Sequence, residues 1–163
     1  MDGAAVLDAI RQRADVVETH AHRGDATVVV TRDALPRVLA LCRDAPALAF
    51  DMLMDLTAVD YLKYPGREDG PRFEVVYHLY SLVHNHRVRI KTRVDEDDAV
   101  VPSAVGLWPS ANWFEREVWD MFGVRFSGHP NLMRLLLYEE FVGHPLRKDY
   151  PIDRRQPLIG PAQ

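Results

Sequence analysis

The stretch ANWFEREVWDMFG, residues 111 to 123, constrains the fold of this 163-residue chain more than any other. With successive side chains set about 100° apart around a helix, Trp113, Phe114, Val118, Trp119, Met121 and Phe122 spread over most of the circle. Arg116 and Asp120 share the narrow polar stripe that is left. Glu117 falls between Trp113 and Met121, and Glu115 between Phe122 and Trp119, each among apolar neighbours. A helix that is apolar nearly all round is buried on most sides. A carboxylate buried with it needs hydrogen-bond donors or a cation, because desolvating it alone forces it to take up a proton. The expectation is therefore a buried Glu117 paired with a cation, with Arg134 as the candidate.

A chain of this length makes one domain, or one domain with tails. Its 47% apolar and 27% charged residues suffice for a core without disulfides or metals. Lys and Arg number 20 against 24 Asp and Glu, so no global positive field favours nucleic acid or anionic lipid. Cys42 is the single cysteine, which rules out an internal disulfide and a cluster or zinc site built on cysteines of this chain. Its context, RVLALCRDAP, is the apolar side of a helix, where a thiol is buried and inert. The N-terminal MDGAAVLDAIRQRAD lacks the basic start and apolar run of a signal peptide, and no stretch reaches the ~20 apolar residues of a membrane span. These features predict a cytosolic chain that meets a membrane only through a partner.

Helical spacing covers residues 3 to 14, and VVETHAHRGDATVVVT reads as two short strands around a Gly24-Asp25 turn. Asp33 is the expected cap of a helix running to about Cys42, with Pro36 in its first turn and Pro46 at its end. LAFDMLMDLTAVDYL predicts a strand, and residues 65 to 71 a loop. RFEVVYHLYSL and VRIKTRV, joined by VHNHR, predict a long antiparallel hairpin. Pro102 is placed at the start of a short helix ending near Trp108, Ser110 at the cap of the next, and Gly123 at its left-handed stop. Runs of helices and strands in this order predict an α+β fold: two layers, helices on a mixed or antiparallel sheet. The final GHPLRKDYPIDRRQPLIGPAQ holds four prolines and two glycines in twenty-one residues, which denies it regular structure. Residues 1 to 143 are accordingly expected to form the domain and residues 144 to 163 an extended docking tail.

Three chemical motifs have simpler readings. His20 with His22, and His84 with His86, are spaced to share a strand face, yet neither pair has a third ligand at metal-site spacing, so they read as solvated turn residues. Glu115 and Glu117 lie two apart on a helix and point roughly 160° to 200° away from each other, so they do not flank one substrate bond. His129 is the remaining candidate proton carrier. Arg89, Lys91 and Arg93 line one strand face, but the acidic DEDD that follows favours a solvated sheet surface over a phosphate site.

Two blocks in order, ANWFEREVWDMFGVRFSGHPNLMRLLL at 111 to 137 and GHPLRKDYP at 143 to 151, resemble the NuoC family, a hydrophilic component of the proton-pumping NADH:quinone oxidoreductase, the bacterial respiratory complex I. Trp113, Glu115, Arg116, Glu117, Asp120, Phe122, Gly123, His129, Pro130 and Arg134 carry the first block. Gly143, His144, Pro145, Leu146, Arg147, Lys148, Asp149, Tyr150 and Pro151 carry the second. FDMLMDLTAVDYL, YHLYSLVHNHRVRIK and VPSAVGLWPSANW are similar to earlier blocks of that family. Met133 departs from it, standing where the family carries a basic residue. The resemblance implies a non-redox, hydrophilic peripheral-arm subunit beside the quinone-site and cluster-carrying subunits, with the signature residues at subunit interfaces. It implies no catalytic, cofactor or metal residue in this chain, since FMN, iron–sulfur clusters and quinone would lie on other subunits. It also implies a peripheral position on the cytoplasmic side of a bacterial inner membrane, without nucleic acid. An equivalent subunit of a membrane-bound hydrogenase or ferredoxin-dependent quinone reductase, and an autonomous enzyme using Glu117 and His129, stay open as alternatives.

Overall fold

The computed structural model describes residues 2 to 157, so the apolar anchors Leu158 and Ile159 and the rest of the expected tail end lie outside the described residues. Asp2 opens α1 (Gly3–Arg11) by accepting the Ala5 amide at 2.9 Å, and Val6, Leu7 and Ile10 form its buried stripe. A hairpin of β1 (Glu18–His22) and β2 (Asp25–Val30) follows. Then come α2 (Leu35–Asp44), β3 (Met52–Asp60), β4 (Phe73–Ser81) and β5 (His86–Val94). The five strands form one sheet in the order β1-β2-β5-β4-β3, antiparallel except for the parallel β2–β5 pair. The α+β fold with a mixed sheet is thus as expected.

Register sorts the two faces of the sheet. Val75↔Thr92, Tyr77↔Ile90 and Leu79↔Val88 are buried pairs in the row that faces the core, where α1 and α2 contribute Val6, Ile10, Leu35, Val38, Leu39 and Cys42. The alternate row pairs Glu74↔Arg93, Val76↔Lys91, His78↔Arg89 and Tyr80↔Arg87. The third helix, α3 (Ala111–Phe122), packs beside β3. It is flanked by a short parallel pair, β6 (Val100–Pro102) and β7 (Arg125–Ser127). Gly123 ends α3 at φ 80°, as its position predicts.

Three local expectations are corrected. No helix runs from Pro102 to Trp108. Pro102 closes β6, whose Ser103 amide donates to Ser127, and turns around Ala104 carry the chain on to Trp108, anchored by its indole N–H to the Phe50 carbonyl at 3.2 Å. Asp33 is exposed and does not cap α2. Ala34 stands at the cap position without a side-chain bond, and its own amide donates to Thr31 Oγ1 at 3.2 Å in the preceding turn. Ser110 occupies the cap position of α3 but makes no capping bond with its side chain.

Candidate functional site

The carboxylates of α3 meet three different fates. Glu115 is fully buried, with Ser103 Oγ donating to Oε2 at 2.7 Å and the Ala104 amide to Oε1 at 2.6 Å. Burial outweighs both donors and pushes its pKa up to about 7. Asp120, expected on the polar stripe, is instead completely buried. Its Oδ2 accepts the amides of Leu135, Leu136 and Leu137 at 3.0, 2.9 and 3.0 Å, and its Oδ1 pairs with Arg134 at 2.6 Å. Burial works to raise its pKa, but the Leu137 amide, Arg134 and the other two amides prevail and hold it below the ordinary carboxylate range. Glu117, expected to be buried with Arg134, is exposed, as is its neighbour one turn away, Trp113, at 58%.

The physical reason is the direction from which α3 is covered. Residues 133 to 143 return across the Asp120 side as a strap, leaving the Trp113–Glu117 side open. Arg134 bonds the carbonyls of Phe141 and Gly143 at 2.6 and 3.2 Å as well as Asp120, so one guanidinium ties the strap to the helix. Arg116 holds the strap's start through the carbonyls of Met133 at 3.1 Å and Arg134 at 2.9 Å. His129 accepts the Asn131 amide at Nδ1 and therefore donates from Nε2 to the Asn112 carbonyl at 3.2 Å. Both of its nitrogens are engaged with backbone. Phe122 is buried beside Gly123, and Pro130 is exposed.

The second block docks on the same domain. His144 lies against Gly123, where a Cβ would stand 2.8 Å from the imidazole, and its Nδ1 meets the Asp120 carbonyl at 3.0 Å. The Leu146 amide donates to the Met121 carbonyl at 3.0 Å. Gly143 adopts φ 110° against the Tyr150 ring, which stacks on Phe141. Lys148 donates its amide to Asp60 at 2.8 Å, while Asp149 pairs with Arg72 at 2.7 Å and its pKa falls to about 2, chiefly through that guanidinium. Arg147 pairs with Glu96 and with Asp149. Residues 144 to 150, expected as the start of a separate tail, are thus tied to the domain, whereas Pro151 to Arg155 are exposed. Pro145 sits half-buried between the two groups of contacts.

Sequence reasoning missed Asp60 and Arg72. Two hydrogen bonds at 2.8 and 3.1 Å join them out of solvent, and the pair anchors both Lys148 and Asp149. The available signal was the core-facing row Leu56, Ala58, Asp60, in which a carboxylate takes the last apolar place.

The other motifs are accounted for within the domain. His84 is an exposed turn residue, as expected, with its Nε2 on the Pro46 carbonyl at 2.8 Å, whereas His86 is not: it is buried at the start of β5, its Nε2 bonds the Leu48 carbonyl at 2.7 Å and its ring stacks on Phe50. His20 and His22 are exposed on β1. Among the described residues no group of three His, Cys, Asp or Glu side chains is placed to hold a metal. Lys91 and Arg93 grip the buried Glu74 at 2.7 and 3.0 Å, and Arg93 also reaches Glu18 at 3.1 Å, so this row is internally paired. Arg89 bonds Thr27 at 3.2 Å. Cys42 is fully buried, which pushes its thiol up to about 12.

What α3 and the strap leave outside includes an apolar set: Trp113, Met133, Leu136, Tyr138 and Val142 are all more than a third exposed. The family model for the respiratory-chain NADH dehydrogenase, 30 Kd subunit, matches residues 28–156, which include both blocks and the strands beneath them. The chain belongs to this family. It is 50% identical over 134 residues to the NADH-quinone oxidoreductase C subunit of Acidithiobacillus ferrooxidans, a match that covers 82% of this chain and 66% of that relative. The chain therefore spans just under two thirds of that relative's length. With the protein of the same name from Roseiflexus sp. it shares 47% identity over 154 residues, 93% of this chain and 86% of the relative. Among solved structures it is similar to a trypsin-resistant fragment of Nqo5, with TM-score 0.69 and 34% identity over 81% of this chain and all of that one. It is also similar to a chain of the membrane-bound sulfane sulfur reductase, an archaeal respiratory membrane complex, with TM-score 0.74 and 26% identity over 92% and 86% of the two chains. No described helix is long and apolar enough to cross a membrane.

Proposed function

We propose that this 30 Kd-family chain is a peripheral-arm subunit of a proton-translocating NADH-quinone oxidoreductase, seated beside the quinone-site and cluster-carrying subunits. It contributes packing and no cofactor or catalysis of its own. The observation that carries this reading is the joining of the two signature blocks into one face. Polar side chains of both blocks are used inward, Asp120 with Arg134 and Asp149 with Arg72, while the apolar Trp113, Met133, Leu136 and Leu146 are exposed. A folded chain that spends its signature residues on fixing a loop against a helix, and leaves apolar surface outside, is built to be covered. The exposed residues 151 to 155 begin the free part of the docking tail in this reading. The protein lies on the cytoplasmic side of the inner membrane, held there by its partners.

The test is a tagged copy expressed in a strain deleted for the gene and purified from native membranes in mild detergent. The expected result is recovery of flavin and iron–sulfur subunits with NADH:quinone activity, and no such activity in the isolated chain. Recovery of the chain alone from membranes that retain full activity would refute the reading.

The likeness to the sulfane sulfur reductase chain favours one second reading, in which the chain is the equivalent subunit of a related respiratory membrane complex with another electron donor or acceptor. The same purification distinguishes the two by whether it brings down an NADH-oxidising flavoprotein.

A further inference from the structure

We propose that the open face of α3 and the strap receives a cationic, arginine- or lysine-bearing apolar surface of a neighbouring subunit. The inference rests on the peripheral-arm reading and specifies the chemistry of the partner. The face is apolar at Trp113, Leu136 and Val142, which are 58, 62 and 59% exposed. Its carboxylates are Glu117, beside Trp113 on α3, and Glu139 and Glu140, in the turn between Tyr138 and Phe141. All three are exposed, and among the described residues none has a hydrogen-bond or ion-pair partner.

Several of the domain's other carboxylates find cations within the chain: Asp60 and Asp149 on Arg72, Glu74 on Lys91 and Arg93, and Asp98 on Arg32. The two guanidiniums nearest the open face are already engaged. Arg134 is turned inward to Asp120, and Arg116 is held by the carbonyls of residues 133 and 134. Of the tail's arginines, Arg154 lies over the Tyr150 ring, and among the described residues neither it nor Arg155 makes an ion pair with these carboxylates. The face is therefore apolar at its centre and negative at its edge. Complementary potential steers encounter and rejects wrong partners more than it adds affinity. A second copy of this chain meeting the face symmetrically would set carboxylates against carboxylates, so the charge selects a different, basic partner.

The experiment uses the tagged chain in native membranes of the deletion strain, with three variants: Glu117→Lys, the double Glu139→Lys/Glu140→Lys, and Asp69→Lys, an exposed acid in the remote 65–71 loop. A photo-reactive amino acid at position 113 identifies the neighbour by cross-linking and mass spectrometry. The expected result is at least about a tenfold loss of co-purified subunits for the first two variants, unchanged assembly for Asp69→Lys, and a cross-linked peptide from another subunit with Arg or Lys within a few residues of the link. Normal assembly of both reversal variants overturns the proposal. So does an equal loss for Asp69→Lys, or a cross-link to a second copy of this chain. Should a reversal fail to fold, the triple Glu117→Gln/Glu139→Gln/Glu140→Gln is read instead, and normal assembly of that variant overturns the proposal equally. Failure of the unaltered chain to bring any subunit with it refutes the peripheral-arm reading itself.

Discussion

Replacing Asp120 is expected to release the strap. Its carboxylate is the single acceptor for three consecutive amides and the buried partner of Arg134, so Asp120→Ala leaves three amides without an acceptor and Arg134 without its carboxylate. Removing one member of a buried pair costs about 3 to 5 kcal/mol. For a chain of this size each kcal/mol is worth about 2 to 4 °C, so the melting temperature should fall by roughly 6 to 20 °C. Glu117→Ala, on the same helix but exposed, should stay within about 0.5 kcal/mol of the parent. Thermal and urea unfolding of the purified chain, followed by fluorescence of Trp119 beside Arg134, measures both. Acid adds an independent check. The folded carboxyl titrates below its unfolded value of about 3.9, so its stabilisation is complete above that value and is lost as pH falls through the folded one. The gap between the parent and Asp120→Asn should be constant from about pH 5 to 8 and close below about pH 4. An Asp120→Ala variant melting within about 2 °C of the parent, or a gap to Asp120→Asn that persists unchanged at about pH 2, would refute this account.

Glu115 should show the opposite pH dependence: its folded pKa of about 7 lies above the unfolded value of about 4.3, so stability falls as pH rises between them. The loss is at most about 4 kcal/mol; Glu115→Gln removes the slope, and parallel pH–stability curves for parent and variant would count against it. Gly123→Ala forces a side chain into φ 80° and against His144, and should cost about 1 to 3 kcal/mol while exposing the Arg147–Lys148 bond to trypsin. Unchanged cleavage would show that His144 does not hold this segment. Deleting residues 152 to 163 should leave the melting temperature of the isolated chain within about 2 °C and impair assembly in membranes. A large loss of stability would instead place the tail within the domain's own core.

The hairpins, the β3 strand and the left-handed stop at Gly123 were legible because each depends on signals a few residues apart. Alternation along Val75, Tyr77 and Leu79, and along Val88, Ile90 and Thr92, needs no knowledge of the rest of the chain. Pro102 misled because proline suits both the first turn of a helix and the end of a strand, and the choice was made by Arg125–Ser127 arriving alongside. The histidine at 86 misled for a similar reason. Its acceptor is the carbonyl of Leu48, 38 residues earlier.

The helix at 111 to 122 separates what sequence states about a site from what only the fold supplies. Its angular pattern correctly requires buried carboxylates, because six large apolar side chains leave little circumference for water. The pattern does not say which ones, since a wheel fixes angles within the helix but not the side from which the strap arrives. Once it arrives over Asp120, Arg134 is committed there and Glu117 is left to solvent. Nor does burial alone set charge. Glu115 and Asp120 are equally inaccessible and lie five residues apart, yet their titrations shift in opposite directions. One has a hydroxyl and one amide to replace water, the other three amides and a guanidinium. The donors to Asp120 all come from residues 134 to 137, so an ionised Asp120 and an ordered strap require each other. Any partner that covers the open face therefore meets a surface already fixed from within, and loses less entropy on binding than it would against a loose loop.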